Sequence, residues 1–271
     1  MRTRALLAAA AALLLVGACG ERSVPPIDED TWADPVDLVG MWRVGDAGEA
    51  DDTWLRLDAG GVALWRGSSV LSGSWTADGR TVVATLDGFS GPSPGDLDPE
   101  WLVGAHRYRF NDDGWQLEDG DGDVVATLTV DGAPEPVDTM AEWYAEPPEV
   151  TDDVREALAP PGRPPEGARL ATAEHLVGRW VPAGQTVETD PHVLFADDGT
   201  WTGSDGCNGQ GGRWAVSEGR LLALAGPMTL IGCPGAPVGG WLGGASYAVV
   251  DGAELVLVGA DGGELGRLVR G

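Results

Sequence analysis

The stretch "GSDGCNGQGGRW", residues 203–214, sets Cys207 among glycines and closes on a tryptophan. A thiol in such a loop admits four chemistries: a nucleophile, a metal ligand, part of an anion-cradling loop, or one end of a disulfide. A nucleophile needs a base within hydrogen-bond reach. The chain has three histidines, His106, His175 and His192, and none stands in a recognisable Cys–His signature. A zinc site needs four ligands at set spacings. Cys207 and Cys233 lie far apart, with no CxxC and no HxxxH between them. An anion cradle wants a strand, a glycine loop and then a helix, whereas the "RWAVSEG" that follows Gly212 reads as a strand. A second candidate is "EDGDGD", residues 118–123, where Asp119, Asp121 and Asp123 alternate as in a calcium loop. Position twelve of such a loop is Glu; here it is Val130. The sequence therefore calls for no catalytic residue, no metal and no cofactor.

Composition narrows the partners. The net charge is −26, from 43 acidic and 17 basic residues, and every basic residue is Arg. Such a surface lacks the clustered cations that neutralise phosphates, so nucleic acid is excluded as a partner. Without Lys there is no Schiff base and no P-loop lysine.

The N-terminus suggests an address. Arg2 and Arg4 precede an apolar run, Ala5 to Val16, too short to span a bilayer as a helix and suited to a signal peptide over residues 1–18. It ends in "VGAC", residues 16–19, which resembles the lipobox of bacterial lipoproteins. That resemblance implies acylation of Cys19, export, and anchoring to the cell membrane by lipid on the outer side. Assigning Cys19 to lipid leaves Cys207 and Cys233. Outside the cytoplasm an isolated pair usually means one disulfide.

The elements that must position these residues come as a repeat. "LVGMW" at 38–42 returns as "LVGRW" at 176–180, and "SGSWTADGRTVVATLDG" (72–88) as "GGRWAVSEGRLLALAG" (211–226). "WLVGAHRYRF" (101–110) returns as "WLGGASYAVV" (241–250). Matches in one order at near-equal spacing predict two copies of one module. Inside each copy, short alternating runs separated by "ADGR", "NDDG", "SEG" and "DG" turns predict β-strands. The expected fold is all-β: two tandem small β-barrel modules, residues 36–132 and 171–271. A tether, residues 19–35, precedes them. A linker rich in proline and acid, residues 133–170, joins them. Within it "TDDVREALA" predicts a short helix capped by Thr151 and stopped by Pro160.

The second module resembles the META, or HslJ-like, domain of bacterial envelope proteins. The motif residues are Gly206, Cys207 and Asn208 after a strand pair, then Gly232, Cys233 and Pro234, then a closing hairpin. The resemblance implies a lipocalin-topology barrel and a role in envelope integrity or stress tolerance exercised by binding; the expected partner is an envelope protein, a glycan or a small apolar ligand. The first module has "RGSSVLSG" (66–73) in place of the cysteine loop and reads as a diverged copy. Among the twelve tryptophans, Trp42, Trp75 and Trp101 recur as Trp180, Trp214 and Trp241, as core residues should. Trp54, Trp65, Trp115 and Trp201 are candidates for a ligand-binding face. A small-molecule carrier using a barrel cavity is the alternative function, and an enzyme is disfavoured.

Overall fold

Two strand meanders each close on themselves. The computed structural model describes residues 34–93, 95–111, 114–184, 189–232 and 234–271. The first barrel is built from β1 (Gly40–Gly45), β2 (Thr53–Leu57), β3 (Gly61–Arg66), β4 (Ser69–Asp78), β5 (Thr81–Ser90), β6 (Arg107–Asn111), β7 (Gly114–Glu118) and β8 (Val124–Thr129). The second is built from β9 (Gly178–Pro182), β10 (His192–Phe195), β11 (Thr200–Ser204), β12 (Gly209–Ser217), β13 (Arg220–Ala225), β14 (Tyr247–Asp251), β15 (Glu254–Val258) and β16 (Glu264–Arg270). Every strand pairs antiparallel with its sequence neighbours, and β8 returns to β1 as β16 returns to β9. Closure removes the exposed strand edges that invite aggregation.

Alternation decides which side chains fill the first barrel. Trp42 stands opposite Leu55, Leu55 opposite Leu64, and Leu64 opposite Leu71. Across the closure, Val44 faces Leu128, which faces Trp115. All are buried. The second barrel is packed with Trp180, Val193, Phe195, Trp201, Trp214, Leu255, Leu257 and Leu268. Buried side chains pack both interiors. Larger clefts lie outside the barrels, one of about 500 Å³ lined by Ala77, Asp78, Leu158, Leu170, Arg220 and Tyr247.

The repeat extends to single hydrogen bonds. Trp42 Nε1 donates to Leu38 O at 2.8 Å, and Trp180 Nε1 donates to Leu176 O at 2.6 Å. In each "LVGxW" motif the leucine sits in a short helical turn, Pro35–Leu38 or Ala173–Leu176. The indole reaches back four residues to that turn. Likewise the Trp75 amide donates to Gly60 O at 3.0 Å, and the Trp214 amide donates to Gly199 O at 2.8 Å. Their indoles donate to Asp58 O (2.6 Å) and Thr200 O (2.9 Å) at the neighbouring turns. These tryptophans fasten turns to barrel walls as well as filling space. Trp42→Phe and Trp180→Phe should therefore cost similar stability, about 1–3 kcal/mol each, because each strands a buried carbonyl. Chemical denaturation of the two variants checks this. A cost for one and none for the other would break the equivalence of the copies.

The segment between the barrels is a strap as much as a linker. Val137, Met140 and Tyr144 pack on Met41, Trp54, Ala63, Trp65 and Val70, which form one patch on the outer wall of the first barrel. Arg56 lies over the Trp143 and Tyr144 rings and pairs with Asp58 at 2.8 Å. Farther on, the expected helix spans Asp152–Ala157 with Thr151 as its cap. Tyr247 Oη donates to Gly162 O at 2.6 Å, and Leu170 bridges to Val249. Proline and acid content predicts solvation; the alternate apolar residues among them pack on an outer wall that has aromatic residues of its own.

The barrels also touch each other directly. The β4–β5 and β12–β13 hairpins, equivalent in the two copies, meet face to face. Val83 packs against Ala215, Leu222 and Leu224. Asp78 and Arg220 form an ion pair across the junction, and Ser217 Oγ donates to Asp78 O at 3.3 Å.

Candidate functional site

The β11–β12 connection is where the two copies differ most. In the first barrel the equivalent β3–β4 hairpin turns through Gly67 and Ser68 alone. In the second, Asp205, Gly206, Cys207 and Asn208 intervene. The turn is an Asx turn: Asp205 Oδ1 accepts from the Cys207 amide (2.8 Å) and the Asn208 amide (2.7 Å). Asp205 Oδ2 accepts from Asn208 Nδ2 at 2.8 Å. These bonds, the side-chain one from Asn208 first, hold the Asp205 carboxyl below the usual carboxylate range. Gly206 has φ +107°, and a β-carbon there would run into Thr189. A side chain at this position would be strained on both counts.

Asn208 is the centre of the arrangement and is only 3% exposed. Its Nδ2 also donates to Ile231 O at 2.9 Å. Its Oδ1 accepts from the Ile231 amide (2.7 Å) and from Thr229 Oγ1 (2.8 Å). One side-chain amide thus stands in for a strand partner to the long β13–β14 connection. Two further bonds hold the same connection down: Ala236 N to Asp205 O at 3.0 Å, and Thr189 Oγ1 to Pro234 O at 2.9 Å. A side chain on Gly235 would collide with the Asp205 carbonyl. Cys233 lies outside the described residues, as do Cys19 and the N-terminal segment before residue 34. The motif residues Gly206, Asn208, Gly232 and Pro234 are described; Asn208 clamps the β13–β14 connection at Ile231, and the Pro234 carbonyl is held by Thr189.

The histidines serve elsewhere. His175 Nδ1 accepts from the Thr172 amide at 3.1 Å in a helix cap. His192 is on β10, opposite Ser204, with Nδ1 2.8 Å from Asp190 O. His106 faces the barrel junction beside Gly199. In the "EDGDGD" turn, Asp119 Oδ1 accepts from the Asp121 amide (3.0 Å) and the Asp123 amide (2.9 Å). That carboxylate closes a hairpin turn. Among the described residues no group of three His, Cys, Asp or Glu is placed to hold a metal ion.

The four tryptophans proposed as a ligand face do not form one. Trp115 lies inside the first barrel, with ring centroids 5.6 Å from Tyr108 and 5.2 Å from Phe110. Trp201 lies inside the second and donates to Leu224 O at 2.9 Å. Trp54 and Trp65 do share an outer wall, as cross-strand neighbours, but the strap covers them. Non-recurrence in the repeat misleads here because a residue absent from one copy can still be core in the other. Sequence reasoning also missed Asp205 and Thr229. An Asp two residues before Cys207 and three before Asn208 is the signature of an Asx turn, so Asp205 was findable. Thr229 was not, because only the tertiary fold brings it to Asn208.

No curated protein and no solved structure matches the chain. The family comparison gives one match: residues 168–270, which span the C-terminal barrel, are similar to the META domain family.

Proposed function

We propose that the chain is a non-catalytic lipoprotein of the bacterial envelope, anchored through Cys19, whose META domain holds out its 226–237 loop to a partner in envelope integrity or stress tolerance. The observation that carries this reading is the state of the motif. Asn208 is buried with both ends of its amide engaged by the loop. A residue so fully used internally is built to hold a shape. The anchor rests on the sequence alone: the charged head, the apolar run and "VGAC". A Cys207–Cys233 bridge fits the same reading, closing the clamp covalently. In the chain-entropy model a loop of that length adds about 3 kcal/mol.

Mass spectrometry of the exported protein tests the anchor and the bridge together. The expected mature chain begins at an acylated Cys19, and a non-reducing digest joins the Cys207 and Cys233 peptides. An unmodified Cys19, or cleavage elsewhere, removes the anchor. Free alkylation of both remaining thiols in the native protein removes the bridge. The non-catalytic part fails if Cys207→Ser abolishes a measured turnover while the fold stays intact.

A further inference from the structure

We propose that the 226–237 loop is a lipid-contacting tip that seats Met228, Leu230 and Ile231 in the surface of a bilayer with neutral headgroups. This inference rests on the reading of the chain as membrane-anchored. The first observation is exposure. Leu230 is 87% exposed, Ile231 61% and Met228 44%. Single exposed apolar residues are ordinary on a protein surface. Here three stand within four positions, on a loop fastened by Asn208, Asp205 and Thr189. The free molecule therefore holds an apolar tip in water in a fixed shape, so little ordering remains to oppose binding.

The second observation is charge. The chain is 22% charged, yet from Leu221 through Val250 there is no Asp, Glu, Lys, Arg or His. Protein interfaces carry a polar rim that fixes orientation. Gly226, Pro227, Gly232 and Gly235 around this tip offer no polar side chain, which favours a low-dielectric medium over a shaped protein pocket. The third observation is the backbone. A segment entering hydrocarbon must leave no amide or carbonyl stranded. At Ile231, one of the three tip residues, both are already bonded to Asn208. Three side chains alone give marginal affinity, so an acyl anchor is needed to hold the tip near the surface. With a net charge of −26 the protein is repelled by anionic lipid. Contact should therefore weaken with anionic lipid and strengthen with salt.

The test uses the full chain, bound to phosphatidylcholine vesicles and free, read by amide hydrogen exchange. Peptides covering 226–236 should exchange about fivefold more slowly on vesicles. Those covering Phe89 and Val130, also exposed, should not change. Adding phosphatidylglycerol should reduce the protection. The Leu230→Ser/Ile231→Ser double variant alters only exposed side chains and should lose it, with its thermal unfolding unchanged. Tip exchange that is equal on and off vesicles of every composition overturns the inference. If the chain is nevertheless retained on those vesicles, the Cys19 anchor stands without it. Protection that needs no vesicles and grows with protein concentration also overturns it, since the tip then docks on a second copy.

Discussion

Asn208→Ala should lower the stability of the second barrel by about 1–3 kcal/mol, because it leaves an amide, a carbonyl and a hydroxyl of the β13–β14 connection without their partner. Those groups are the Ile231 N–H, the Ile231 carbonyl and Thr229 Oγ1. Asn208→Asp should be worse at neutral pH. It places a second carboxylate against Asp205 Oδ2, where Nδ2 now donates. Asp205 itself sets the pH behaviour. Its folded pKa lies below its unfolded value. Its contribution is therefore present above the unfolded value near 3.8 and fades as pH falls through the folded one. Urea denaturation followed by tryptophan fluorescence checks the ranking: wild type above Asn208→Ala, and that above Asn208→Asp. If Asn208→Asp equals wild type at neutral pH, Nδ2 is not donating to a carboxylate and the clamp is wrongly drawn.

The second large effect belongs to the barrel junction. Arg220→Ala should cost about 2–4 kcal/mol near neutral pH, because it leaves Asp78 as a desolvated carboxylate without its cation. Burial already holds the Asp78 carboxyl above the usual carboxylate range, with Arg220 the main opposing influence. A raised folded pKa means that this group's contribution is present below its unfolded value and lost as pH rises through the folded one. The cost of Arg220→Ala should therefore shrink as pH falls from neutral, as Asp78 takes up a proton and no longer needs a cation. A cost independent of pH would show that the pair contributes no charge interaction. His106, on the same junction, has the opposite slope. Burial first, then Arg213 and Arg107, lower its pKa against the weaker pull of Asp119. Its contribution is present above the ordinary histidine value of 6.5 and lost as pH falls toward the folded value. His106→Gln should flatten that part of the profile.

Much of this architecture was legible because local rules and repetition agree. Two copies of "LVGxW" and of the "ADGR"/"SEGR" hairpins predict two barrels, and the indole bonds of Trp42 and Trp180 show the two copies solving one local problem identically. The glycine-rich cysteine loop was legible as a structural feature. What stayed hidden depends on contacts between distant segments. The strap reads as a solvated linker because proline and acid dominate it; only the outer wall with Trp54 and Trp65 makes its Val137, Met140 and Tyr144 useful. Trp54 and Trp65, expected with Trp115 and Trp201 to line a ligand face, share an outer wall that the chain's own segment covers. The junction ion pair joins Asp78 to Arg220 across the repeat. No periodicity within either copy reports such a contact.

The central claim is that the Gly206–Asn208 motif clamps a loop. The Asn208 side-chain amide tests it most directly. Both Nδ2 hydrogens have acceptors, Asp205 Oδ2 and Ile231 O. In a nitrogen–proton correlation spectrum of the native protein they should resolve from the free asparagine and glutamine amides and exchange with water orders of magnitude more slowly. The Ile231 backbone amide should be protected with them and lose that protection in Asn208→Ala. Asn208 hydrogens that exchange at the rate of exposed side-chain amides, with Ile231 equally unprotected, would contradict the clamp and leave the motif free for another role.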